Sequence, residues 1–88
     1  MLMYLNCEVS TEVDEIDFDY LSGFEFILGG YGYLRCNNGL HRKEYLHKII
    51  AKRIGLDISK ITDHKDTNIY NNKRYNLREA TKIHLIIN

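Results

Sequence analysis

Apolar positions recur with a helical period in one stretch of the chain: Leu46, Ile49, Ile50 and Ile54 stand at i, i+3, i+4 and i+8. This spacing puts them on one face of a helix, with Lys48, Lys52 and Arg53 largely on the others. Gly55 fits the residue that stops it, because glycine enters left-handed backbone without a Cβ penalty. Upstream, residues 1–9 are apolar-rich and read as a strand. Residues 10–22 are acidic, with Val13, Ile16, Phe18 and Tyr20 interspersed. The alternation from Ile16 to Tyr20 predicts a short strand or an irregular arm. Residues 23–28 form another weak strand, broken by Gly29-Gly30. Residues 31–36 and 43–46 flank Asn37-Asn38-Gly39, which predicts a β-hairpin, since Asn-Gly favours the φ > 0 of a reversal. After the helix, Ile58 and Ile61 lead into a short strand ending at Asp63-His64. Residues 65–75 are rich in Asn and Asp, which bond local backbone and shape a compact loop. Residues 77–80 return as a strand. Thr81 can cap a last helix from Lys82 onward, with Leu85 and Ile86 among its apolar residues.

The pattern is α+β: N-terminal strands or a hairpin, a helix, then a strand, loop, strand and helix. Its 88 residues make one small domain. It has an acidic segment (1–30), a hairpin plus helix (31–56) and a closing unit (57–88). A chain of this size buries only roughly 60–65% of its unfolded surface, so a metal, a partner or a second copy would add needed stability. With 44% hydrophobic and 27% charged residues it is globular rather than disordered. No apolar run approaches the ~18 residues of a membrane span, and Met1-Leu2-Met3 lacks the basic start of a signal peptide. The expectation is a cytoplasmic, intracellular protein without a membrane partner. Cys7 and Cys36 form no metal-spacing pair and read as free thiols of a reducing compartment.

The net charge of zero conceals a split. All 12 Lys and Arg lie at or beyond Arg35, while seven of the 12 acids (Glu8, Glu12, Asp14, Glu15, Asp17, Asp19 and Glu25) lie in residues 1–25. Such asymmetry points to a basic, nucleic-acid-binding body with an acidic segment attached, or equally to a solvated acidic edge. The chain has no proline and is rich in Ile, Asn, Lys and Tyr. AT-rich codons supply those residues, which fits a phage or a low-GC bacterial host.

Asp63-His64 is the densest chemistry in the chain. It sets a hard oxygen donor and an imidazole one backbone step apart. The Asn71-Asn72 pair, Asn76-Leu77-Arg78 and Thr81 follow in order. Together with Leu46-His47-Lys48-Ile49-Ile50-Ala51, these residues make the span 45–88 resemble the HNH nucleases of the ββα-metal (His-Me finger) fold, in particular the phage- and intron-encoded homing-endonuclease type. The resemblance covers about half the chain. It implies a DNA endonuclease that hydrolyses phosphodiester bonds with one divalent ion, Mg²⁺ or Mn²⁺. Within it, Asp63 matches the first metal ligand and His64 the general base. Asn76 matches the asparagine that braces the loop. Lys65, Lys73, Arg74, Arg78 and Lys82 cluster around this site as candidates for contact with DNA phosphates.

The sequence departs from that family at Leu85, where His or Asn usually supplies the second metal ligand. His84 or Asn88 is the candidate substitute. The alternative is a ligand lost and a catalytically inactive DNA-binding module of the same fold, or an interaction protein whose acidic segment meets a basic partner. His47 reads as a structural group, His41 and His84 as surface residues, and Tyr31, Tyr33 and Tyr45 as hairpin packing. A homodimer stays open.

Overall fold

The structure, a computed structural model, describes residues 1–5 and 9–80. It is a small α+β domain of short antiparallel strand pairs and two α-helices among the described residues. β1 (Leu2–Tyr4) pairs with β2 (Ser10–Glu12), β3 (Phe26–Leu28) with β4 (Leu34–Cys36), and β5 (Ile61–His64) with β6 (Leu77–Ala80). Helices α1 (Glu15–Leu21) and α2 (Leu46–Arg53) lie between them in sequence. Val13, Leu21, Phe26, Leu34, Leu46, Ile49, Ile50 and Leu77 form the centre of the core, so both helices and strands β3, β4 and β6 contribute to one apolar cluster. None of the described helices is long and apolar enough to cross a membrane.

α2 follows the apolar stripe. Leu46, Ile49 and Ile50 are fully buried, and Gly55 takes φ +85°. Its N–H bonds the Lys52 carbonyl and that of Leu56 bonds Ala51, the paired bonds that close a helix through a left-handed residue. The expected final helix, from Lys82, lies outside the described residues.

Several expectations differ from what is found. Residues 10–22 are not one strand or arm. They are β2 followed by α1, whose buried positions are Asp17 and Leu21. With Val13 they follow a helical 13–17–21 spacing, and the charged residue at its centre hides the period. Ile16, which suggested alternation, is 60% exposed. The hairpin expected across Asn37-Asn38-Gly39 is reduced to an Arg35–Tyr45 bridge, with Cys36 bonded to Glu44 and Lys43 to Cys36. The full ladder of β4 is made with β3 instead. The reversal itself does use Gly39, at φ +67°. His41 is buried, not on the surface: its ring bonds the Tyr20 hydroxyl on one side and Glu44 at 3.0 Å on the other.

Candidate functional site

β5 and β6 form a hairpin in which Asp63 faces Arg78 and His64 faces Leu77 in register. Consecutive strand residues point to opposite faces. The Asp63 carboxylate is half-buried and accepts two bonds from the Arg78 guanidinium, at 2.8 and 3.0 Å, both on Oδ2. His64 is buried on the inner face, its ring 5.2 Å from that of His47 and 6.4 Å from that of Tyr33.

The connection between these strands is held by its own amides. The Asn76 side chain donates to Asp66 Oδ1 and to the Asn71 carbonyl, each at 2.8 Å, and accepts from the Asp66 N–H at 3.0 Å. Asp66 in turn accepts from the Asn68 N–H at 2.8 Å and the Asn71 amide at 2.9 Å. Those bonds, from the Asn71 side chain first, then the Asn68 backbone and Asn76, hold the Asp66 carboxyl below the usual carboxylate range. The turn admits Thr67 at φ +65°, an unusual state for a β-branched residue that the surrounding bonds enforce. Asn76 is 1% exposed, so it ties the ends of the loop from inside.

Asn72, also 1% exposed, sets the chemistry of His64. Its Nδ2 donates to Thr11 Oγ1 at 2.9 Å and to the Ile69 carbonyl at 3.3 Å. A flipped amide would point its oxygen at that carbonyl. Asn72 Oδ1 therefore faces His64 Nε2 at 2.8 Å, and Nε2 carries the hydrogen. In the neutral ring Nδ1 is then the basic nitrogen. Thr11 completes the chain by donating to the Tyr70 carbonyl at 2.9 Å. The N-terminal strand β2 is joined to the loop by backbone as well: Glu12 N–H bonds Tyr70 and Asn72 N–H bonds Glu12, each at 2.8 Å. Thr11 carried no local signal in the sequence, because its partners lie about sixty residues away; Asn72 was visible only as one of a pair of loop asparagines.

Beside His64, burial holds His47 neutral, its pKa pushed down to about 3, with the charges of His64 and Lys48 adding to the effect. Two imidazoles in ring contact cannot both be charged without large cost, so this arrangement keeps one of them neutral over the physiological range.

The expected DNA-contacting residues divide. Lys65 is exposed and makes no ion pair among the described residues. Lys73 stands 3.9 Å from Glu12. Arg74 donates to both oxygens of Asp17 at 2.8 and 2.9 Å, and Arg53 adds a third bond at 2.9 Å. Burial alone would raise the Asp17 pKa, but the two arginines outweigh it and hold the carboxyl below its ordinary value. Arg78 is committed to Asp63. Lys82, His84 and Asn88 lie outside the described residues.

For a divalent ion, Asp63 is the hard oxygen donor adjacent to His64. No group of three or more His, Cys, Asp or Glu among the described residues could hold a metal. The one carboxylate suits Mg²⁺, which keeps most of its waters and commonly takes only one or two protein carboxylates together with substrate phosphate. No family model matches the chain, and neither a curated protein nor a solved structure matches it.

Proposed function

We propose that the chain is a metal-dependent DNA endonuclease of the HNH type, with β5, the loop 65–76 and β6 as the two strands and loop of a ββα-metal unit. The observation that carries this reading is His64: a buried imidazole with its tautomer fixed through Nε2, at the mouth of an amide-braced loop, one residue from a carboxylate. Phosphodiester hydrolysis needs a water made nucleophilic, and an imidazole can take its proton. Water would attack phosphorus while Nδ1 of His64 takes its proton, and the bond to the leaving 3′ oxygen would break. Asn72 and Thr11 would keep the ring in the productive tautomer, and Asn76 would keep the loop from collapsing onto it. A bound Mg²⁺ or Mn²⁺, held in part by Asp63, would neutralise charge on the phosphate and leaving oxygen. Lys65, which is exposed, would meet a neighbouring phosphate.

Leu85 and the Asp63–Arg78 pair favour the second reading, a module of the same fold that grips DNA without cutting it. An arginine on the carboxylate competes with a metal for the same oxygen. Supercoiled plasmid incubated with Mg²⁺ or Mn²⁺ at low salt separates the two. Nicked product is expected for the enzyme, whereas salt-dependent binding without nicking would establish the second reading.

A further inference from the structure

A groove of about 430 Å³ opens on the other side of the rings that touch His64. Tyr31, Tyr33, Tyr45, His47, Lys48 and Lys60 line it, and no carboxylate does among the described residues. Five observations converge on one kind of ligand. Tyr31 is 98% exposed and is held at φ 60° between two glycines, a left-handed state that an aromatic residue adopts only when its surroundings impose it. The Tyr70 hydroxyl, donating to the Gly32 carbonyl at 2.9 Å, fastens that turn to the loop of the candidate site. Tyr45 and His47 are stacked at 5.7 Å, and Tyr33 meets Tyr45 edge-on at 6.0 Å and His47 at a tilt at 5.2 Å, so three rings pile together along the wall with one pair face to face. His47 is 8% exposed and faces the groove, and its ring nitrogens have no hydrogen-bond partner among the described residues. The start of α2 lies here as well, without a side-chain cap or an acid in its first turn, so its free N–H groups and positive dipole end add to Lys48.

Flat aromatic faces, a neutral imidazole edge and an anion-favouring helix start with lysines are the components that bind nucleotides in single strands. We propose that this groove takes one unpaired nucleotide of the DNA strand beside the scissile phosphate. Its base lies against Tyr31 and the tyrosine pile, its edge meets His47, and its phosphate meets Lys48, Lys60 and the start of α2. Lys60 pairs with Glu79 at 3.5 Å, through side chains exposed enough to exchange that partner for a phosphate. The assignment rests on the reading of the chain as a DNA-acting protein. It goes further in giving the substrate a locally opened strand and not only a duplex.

The test is binding, not cleavage. Labelled single-stranded oligonucleotides are titrated with the full chain in EDTA at low salt and followed by fluorescence anisotropy. Tyr31→Gly, which removes the ring and relaxes the turn, should weaken binding about tenfold, as expected for one stacked base. Tyr31→Phe should bind like the parent. Lys60→Gln should weaken binding and lower its salt dependence. A strand of abasic sites should be insensitive to Tyr31→Gly. Equal affinity for parent and Tyr31→Gly, equal loss on normal and abasic strands, or no oligonucleotide binding by the parent overturns the groove assignment. Binding through Tyr31 without any nicking in Mn²⁺ keeps the groove and removes the hydrolytic reading. Nicking that does not depend on Tyr31, with unchanged binding, does the reverse.

Discussion

Two aspartates hold arginines among the described residues, and their surroundings differ. Asp17 is completely buried and clamped by Arg53 and Arg74, whose side chains are themselves 27% and 32% exposed. Asp63 and Arg78, on the outer face of the β5–β6 hairpin, are 21% and 38% exposed. A buried carboxylate stripped of a partner keeps its desolvation cost, whereas an exposed one regains water. The first contact therefore welds the acidic N-terminal segment to the basic loop. The second is more open to water, so its side chains are rehydrated more readily when parted. The same pairing of residue types is thus held more tightly at one site than at the other, and exposure decides which.

Matched substitutions break that comparison most strongly. Arg74→Met should lower unfolding stability by about 3–5 kcal/mol, measured by urea denaturation, because it leaves Asp17 buried with half its clamp. A loss near that of a surface pair would show that Arg53 alone suffices. Next in size is a pH effect. His47 has a depressed folded pKa, so the unfolded chain binds the extra proton. Its stability contribution is whole above pH 6.5 and is lost as pH falls toward 3. At pH 4 that loss is about 3 kcal/mol. His47→Phe should therefore be less destabilised than the parent between pH 7 and pH 4. The Asp17 contribution has the same sign but sets in only below its ordinary value of 3.8, so the two are separable by titration. If parent and His47→Phe lose equal stability by pH 4, His47 is not held neutral.

Asn72→Leu should cost about 2 kcal/mol through the orphaned Thr11 and His64 groups. Nitrogen shifts of His64 should also move from a single Nε2–H tautomer to a mixture, and a ring already mixed in the parent would remove the tautomer argument. Smallest is Arg78→Met, at no more than about 1 kcal/mol, with Mn²⁺ affinity equal to or above the parent's. A large stability loss here would make the pair structural, like Asp17.

How much of this was legible depended on whether the physics is local. α2 could be read because four apolar residues and Gly55 state one helix completely. The strands at 61–64 and 77–80 and the asparagine-rich loop between them could be read because alternation and Asx turns are short-range. α1 could not, because Asp17 fills a core position whose arginine partners are 36 and 57 residues away. The support of His64 was also hidden: Thr11 contacts Asn72 across 61 residues, and no period announces that contact. His41 looked like a surface residue for the same reason, since Tyr20 buries it from the distant α1. From its charge alone the acidic segment reads as attached to a basic body or as a solvated edge. β2 and α1 instead build Glu12, Asp14 and Asp17 into the domain against Lys73 and Arg74.

The central claim is that His64, oriented by Asn72 and Thr11, is the base of a phosphodiester hydrolase. The rate of plasmid nicking in Mn²⁺ by the parent and by His64→Ala, with both shown to be folded by circular dichroism, tests it most directly. Measurable nicking by the parent and a 10²–10⁴-fold slower rate for the variant are expected. Nicking at equal rates would contradict it.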